Sequence, residues 1–332
     1  MKVLMISTDR NIFKEDSAVR ARMIEYGKNY DELHIIIFSK KITSETKIAE
    51  NVFIYPTNSS SKFFYISDAI KIGKKILRSG GFQLTCQDPF ECGFVGWKLS
   101  RKLKIPLELQ IHTDIGSPYF TSLKLGWSLA FLNFTRFQIA KFLLPKADKI
   151  RVVSVRIKNF LLTREIATNK IEVRPIKINL KTDGLPKQYP QFDFIALAVG
   201  RLEPEKNISL AIDAWQEVVK KFPRAGLIIV GSGSELKFLK SKVQSLKLGN
   251  NIAFESWTEN LAVYYKTADV FLNTSFYEGY GMALAEATTA DCPIVSSDVG
   301  AANEILQSNR RLAVCPIGDK NCFVAKITEL FK

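Results

Sequence analysis

Short runs of aliphatic and β-branched residues recur along the chain, separated by stretches long enough to hold a helix. In the first half they fall at Val3–Ser7, Leu33–Phe38, Val52–Tyr55, Gln83–Cys86, Leu107–Ile111 and Ile150–Ser154. A polar, proline-bearing stretch from Lys177 to Gln191 interrupts the pattern. It restarts at Phe194–Val199, Gly226–Val230, Ile252–Glu255, Val270–Asn273 and Pro293–Ser296, with helical patterns at Leu210–Val219, Leu236–Leu246 and Ala283–Ala290 in the gaps. Near-continuous apolar runs are what strands buried on both faces require, and their alternation with helices predicts parallel sheets. The expected fold is α/β, with two Rossmann-like parallel-sheet domains facing a cleft: residues 1–180, a linker at 181–191, and residues 192–332.

Composition adjusts this picture at three points. The five cysteines, Cys86, Cys92, Cys292, Cys315 and Cys322, are odd in number and contain no C-x-x-C pair. Neither a disulfide framework nor a zinc knuckle is expected, which favours a reducing cytosol. The N-terminal run Met1–Thr8 lacks the longer apolar core and cleavage site of an export signal, so no export is expected. The longest apolar zone, Leu123 to Leu144, is broken by Lys124, Arg136 and Lys141, and so lacks the roughly 20 uninterrupted apolar residues of a spanning helix.

Charge is distributed unevenly. Residues 1–190 hold 32 Lys and Arg against 17 Asp and Glu, whereas 191–332 hold 15 against 16, so the net charge of +14 belongs to the first half. This asymmetry has two readings: an anionic partner such as a membrane surface, or solvated helix faces that keep the chain soluble. No recognisable nucleic-acid module accompanies the basic residues, so no nucleic-acid partner is expected.

In open parallel sheets, ligands bind beyond the carboxyl ends of strands, where loops meet helix N-termini. Three loops with glycines or charges follow predicted strands: Gly200-Arg-Leu-Glu-Pro-Glu-Lys-Asn207, Gly231-Ser-Gly-Ser234 and Ser275-Phe-Tyr-Glu-Gly-Tyr-Gly281. Arg201 and Lys206 together suit a diphosphate, the guanidinium as a fork and the ammonium as a point charge. Asn207 or Ser209 is expected to cap the following helix. Gly231 and Gly233 read as a tight strand-to-helix turn whose backbone approaches a ligand. Gly279 and Gly281 let backbone N–H groups at a helix start face an anion, a position the helix dipole also favours. Glu286 lies five residues beyond Gly281, about 7 Å along a helix, and suits the two hydroxyls of a ribose; Glu278, in the loop, suits hydroxyls beyond the far phosphate.

The seven-residue gap between Glu278 and Glu286, the run Gly200-Arg201-Leu202 with Glu205-Lys206-Asn207, and Cys292-Pro-Ile-Val-Ser296 with Gly300 and Glu304-Ile305 together resemble glycosyltransferase family 4. The resemblance covers about residues 192–330. It implies the GT-B fold and transfer of a sugar from a nucleotide-sugar donor with retention of anomeric configuration. It further implies that Arg201 and Lys206 hold the donor diphosphate, Glu286 the ribose and Glu278 the sugar hydroxyls. The backbone amides of Gly279, Tyr280 and Gly281 would complete the pocket, with Gly200, Gly231 and Gly233 shaping its other walls. His112, after the strand at Leu107–Ile111, would lie against the sugar; a hydrogen-bonding structural histidine is the other reading of that residue. Where the family often has a glycine pair after its first strand, this chain has Thr8 to Ser17.

The expected function is a retaining glycosyltransferase acting on a glycan or glycolipid acceptor, in cell-surface polysaccharide or glycolipid synthesis. No cofactor and no metal are expected, since the sequence holds no D-x-D pair to chelate a divalent ion on the donor. The alternative is a catalytically silent protein of the same fold acting as a membrane-surface or scaffold protein. An NAD-dependent oxidoreductase lacks its glycine fingerprint after Ser7. The expected location is cytoplasmic and peripheral to the inner face of the membrane, because cations and aromatics interleave over Leu123–Lys146. Those aromatics either lie in a headgroup layer or pack against the sheet of the first half.

Overall fold

The computed structural model describes residues 1–40, 47–178, 180, 184–306 and 312–331; of the expected linker, 181–183 lie outside the described residues. The chain divides into two compact units. The first holds Met1–Ile115, Phe131–Val153 and Ile157–Arg174; the second holds Gly116–Ala130, Ser154–Arg156 and Pro175–Lys332. The linear division passes between Arg174 and Pro175, and two short segments from the first half of the sequence pack with the second unit.

The first unit is built on β1 (Lys2–Ser7), β2 (Glu32–Ile37), β3 (Lys47–Ala49), β4 (Val52–Pro56), β5 (Phe82–Cys86), β6 (Leu107–Ile111), β7 (Lys149–Val152) and β8 (Ile171–Val173). Their order across the sheet is β3-β4-β2-β1-β5-β6-β7-β8. Among the described residues, only the edge pair β3–β4 is antiparallel. The helices α1 (Ala18–Gly27), α2 (Tyr65–Ile76) and α3 (Glu91–Leu103) lie wholly within this unit. The long helix α4 (Trp127–Leu143) and α5 (Val155–Leu162) complete the connections between β6 and β8. Val3, Met5, Leu33, Ile35, Val52 and Ile54 meet Met23 of α1 in one apolar cluster.

The second unit carries β9 (Phe194–Val199), β10 (Ala225–Val230), β11 (Ile252–Glu255), β12 (Val270–Asn273), β13 (Ile294–Ser297) and β14 (Leu312–Cys315). They are parallel throughout and ordered β11-β10-β9-β12-β13-β14. The intervening helices are α6 (Ile208–Lys221), α7 (Leu236–Ser245), α8 (Ala262–Thr267), α9 (Met282–Thr289), α10 (Ala302–Leu306) and α11 (Lys320–Thr328). A core on one face gathers Trp215 and Val218 of α6 with Leu227 and Ile229 of β10. On the other face, Leu284 and Ala287 of α9 meet Phe271 and Ile294. The direction of strand succession reverses at β9, between β10 and β12. Such a switch point leaves a crevice beyond the carboxyl ends of β9 and β12, because the helices on either side cover opposite faces.

Two expectations need correction. Cys315, at the end of β14, is bridged to Cys322 of α11 by a disulfide, leaving Cys86, Cys92 and Cys292 as free buried thiols. The strand-turn-helix connection brings together two cysteines seven positions apart, a pairing that counting and C-x-x-C spacing miss. With the bridge present, cysteine usage no longer argues for a reducing compartment. Nor does a side chain cap α6: Asn207 takes the N-cap place in the left-handed region, at φ 48°, with no side-chain cap bond. The Ser209 hydroxyl instead accepts from Lys242 Nζ at 2.6 Å.

Candidate active site

The loops after β9 and β12 meet at the switch point. Phe276 N–H donates to Glu205 O at 2.8 Å, and the Thr274 hydroxyl donates to Lys206 O at 3.1 Å, so the two loops are tied backbone to backbone and side chain to backbone. This brings Lys206 Nζ onto Glu278 Oε1. Both side chains are largely buried, 20% and 14% exposed, which makes the pair a desolvated one rather than a screened surface contact. The same Glu278 oxygen accepts from Ser275 Oγ at 2.7 Å. Ser275 Oγ also lies 2.9 Å from Asn273 Oδ1, and Asn273 Nδ2 donates to Ser296 Oγ at 3.1 Å. Glu278 is thus held at the end of a polar chain anchored in β12 and β13.

Behind the loop, Gly281 enters α9 in the left-handed region at φ 93°, a conformation glycine adopts without a Cβ penalty. The first N–H groups of α9 have no intrahelical partner and carry the positive end of the helix dipole. Glu286 sits one turn into α9, half-buried, and accepts from Tyr265 Oη at 3.0 Å. Burial raises its carboxyl above the ordinary value, and the Tyr265 hydroxyl offsets part of that rise.

Arg201 behaves differently from its three companions. Its side chain is 72% exposed and rests on Glu205 Oε1 at 2.8 Å. It therefore lies at the rim, within the same loop as Lys206. Gly231 and Gly233 have a structural cause of their own: a Cβ on Gly231 would fall 1.9 Å from Gly200 O, and one on Gly233 2.3 Å from Leu202 O. Leu202 N–H donates to Ser232 O at 2.8 Å across that contact. These glycines let the loop after β10 brace the loop that carries Arg201 and Lys206.

His112 belongs to the first unit, just past β6. Its Nε2–H donates to Gln110 Oε1 at 3.1 Å, which leaves the lone pair on Nδ1. Burial first, then Arg151 and Arg22, push the imidazole down to about 4, while the residue keeps an exposed surface. It is neutral at physiological pH.

Several supporting residues escaped the sequence reading. Tyr265 lies in an ordinary helical pattern ahead of β12, and nothing local marks it as a partner of Glu286. Gly300 occurs in the motif without an evident reason; here, at φ 54°, a Cβ would meet Tyr280 O at 2.6 Å, and Ala301 N–H donates to that carbonyl at 2.9 Å. Arg156, in the segment that packs with the second unit, pairs with Asp298 and donates from Nε to Gly300 O at 3.2 Å. Tyr119 stacks on Phe276 at 5.0 Å and Phe120 meets Tyr277 edge-on at 5.9 Å, so residues 116–125 strap the loop bearing Glu278. A cavity of about 660 Å³ beside Phe194, Phe222 and Phe331 lies at the amino-terminal ends of the strands, the wrong edge for this chemistry.

The sequence profile of the family described as glycosyl transferases group 1 matches residues 186–332. That segment is similar to glycosyl transferases group 1 over 147 of the 332 residues. All four loop and helix residues described above, Arg201, Lys206, Glu278 and Glu286, lie in the matched segment. Among curated proteins, a poly(glycerol-phosphate) alpha-glucosyltransferase of Bacillus subtilis (strain 168) is 32% identical over 124 residues, covering 37% of this chain and 18% of that protein. An alpha-monoglucosyldiacylglycerol synthase of Streptococcus pneumoniae is 26% identical over 223 residues, 63% of this chain and 50% of that one. The chain thus spans half or less of the length of these relatives. Among solved structures, sucrose-phosphate synthase from Thermosynechococcus elongatus superposes with a TM-score of 0.81 at 20% identity, over 100% of this chain and 90% of that one. The Anabaena protein HepE in complex with UDP gives 0.73 at 17%, with the same coverages. These likenesses extend beyond the matched segment to the whole chain and establish its fold as GT-B.

Proposed function

We propose that the protein is a retaining glycosyltransferase that moves a sugar from a nucleotide-sugar, a UDP-sugar first of all, to a glycan or glycolipid. The observation that carries the reading is the desolvated Lys206–Glu278 pair at the switch point, beside the start of α9 and one turn from Glu286. The ammonium and carboxylate satisfy each other. A donor diphosphate placed at the N-terminus of α9 draws Lys206 to itself, and Glu278 is released to accept hydroxyls of the transferred sugar. Glu286, fixed by Tyr265, accepts from the ribose. Charge then grows on the leaving diphosphate while the anomeric carbon gains oxocarbenium character. Lys206, Arg201 and the helix terminus stabilise that charge without a metal. Gly200 and the braced turn at Gly231 and Gly233 hold the cationic loop, and the amides of Gly279, Tyr280 and Gly281 line the phosphates. His112 is the residue of the first unit assigned to the sugar.

The acceptor we infer is lipid-linked, presented at an anionic membrane surface on the cytoplasmic side. The names of the relatives support this, one acting on poly(glycerol-phosphate) and one making a glucosyldiacylglycerol, as does the basic first half. HepE was crystallised with UDP, which supports the choice of base. The test is slow hydrolysis of UDP-, GDP- and ADP-sugars without acceptor, in EDTA. Release of sugar from the UDP donor is expected; silence towards all three, with no thermal stabilisation by any nucleotide, would favour the scaffold alternative. Loss on chelation with rescue by magnesium would overturn the metal-free mechanism.

A further inference from the structure

The helix α4 carries an apolar stripe that faces solvent. Trp127 is 80% exposed, Phe131 71%, Phe134 51% and Phe142 44%, with Leu123 at 56% just ahead of the helix. Positions 127, 131, 134, 138 and 142 fall on one face of a 3.6-residue helix, opposite the buried Asn133, Ala140 and Leu143. The sheet-packing reading of these aromatics therefore fails for Trp127, Phe131 and Phe134. Large aromatics are rarely left this exposed over three turns without a partner.

The charges around the stripe say what that partner is. From Ile115 to Ala147 the chain contains no aspartate or glutamate, while Lys124, Arg136, Lys141 and Lys146 all fall within it. Arg136 is taken up by Glu91, at 3.1 Å, but Lys141 lies exposed on the stripe itself. Lys146 Nζ sits 3.7 Å over the Phe142 ring, and Lys98 Nζ 4.9 Å over Trp97, whose ring meets Phe142 edge-on at 5.1 Å. Rings with cations folded over them match the boundary between headgroups and acyl chains, where the ring is buried and the ammonium reaches lipid phosphate. Besides its rings the face carries Gln138 and Lys141 and no acid, a complement to an anionic surface. No described helix is long and apolar enough to cross a membrane, so α4 would lie along the surface.

We propose that α4 is a keel: its Trp127–Phe131–Phe134–Phe142 face inserts into the headgroup layer of an anionic bilayer. This rests on the reading of a lipid-linked acceptor and specifies how the enzyme meets it. In sequence, α4 follows directly on the strap at 116–125 that packs on Phe276 and Tyr277, with Lys124 5.8 Å over the Phe276 ring.

The test is flotation of the full chain with phosphatidylglycerol vesicles and with phosphatidylcholine vesicles, for the wild type, for Trp127→Ser/Phe131→Ser/Phe134→Ser, and for Lys141→Glu/Lys146→Glu. Melting temperature and stabilisation by UDP are measured on the same samples. The keel predicts that the wild type floats with anionic vesicles, that the serine triple loses binding by about tenfold or more, and that the glutamate pair loses it in low salt. The exposed positions should leave melting and UDP stabilisation unchanged. A triple variant that floats like the wild type overturns the keel and spares membrane docking. A wild type that stays in solution with both vesicles overturns both, and leaves the donor reading to its own UDP arm. A wild-type dimer in light scattering that the serine triple turns into a monomer assigns the stripe to self-association and also overturns the keel.

Discussion

The proposed role of Glu286 comes with a cost in stability. Burial holds its carboxyl above the ordinary value, so the folded state is disfavoured when the group ionises, and that penalty is present at pH above the raised value. In that role the ionised form is the stronger acceptor for ribose hydroxyls. Donor binding should therefore weaken on acidification at a higher pH than an unperturbed glutamate would give. Glu286→Gln keeps an acceptor for Tyr265 and removes the buried charge. It should weaken UDP binding by about 1.5–3 kcal/mol, flatten the acid limb and leave the melting temperature unchanged or higher. A melting temperature that falls along with binding would mark Glu286 as structural. The motif residues were legible in sequence because acids and cations flanking glycines are unusual after a strand. Tyr265 was not, because its role depends on a contact 21 positions away that no local pattern encodes.

At the scale of elements, the runs of apolar residues marked most strands of both units, since a strand buried on two faces has little freedom of composition. The missed ones are short: β3 and β8 are three residues each, Lys47–Ala49 and Ile171–Val173, and β14 is the four-residue run Leu312–Cys315. None is long enough to show a period. The close approach of Gly231 and Gly233 to the backbone at Gly200 and Leu202 was not legible either, because it joins two loops distant in sequence. Gly231→Ala places a methyl against a carbonyl that no rotamer change can move. Overpacking of this kind should cost about 1–3 kcal/mol, read as a lower urea midpoint, with donor use reduced through displacement of Lys206. Unaltered stability would show that the two loops are less tightly braced than their contact implies.

For the whole molecule, the two-unit organisation was legible in the broken and restarted pattern, but the assignment of 116–130 and 154–156 to the second unit was not. Long-range packing decides it, through Tyr119 on Phe276 and Arg156 on Asp298. The charge asymmetry and the exposed face of α4 both belong to the half of the sequence outside the matched family segment, where an acceptor surface is free to differ from those of its relatives. Apart from His112, the residues assigned to the proposed donor site all lie in the segment that matches the family, residues 186–332. Calorimetric titration of UDP into the full chain in EDTA, for the wild type and for Lys206→Ala, is the most direct test. The account predicts saturable binding to the wild type and a loss of roughly tenfold to more than a hundredfold in the variant. Equal affinity for both, or no binding to a folded wild type, would contradict it.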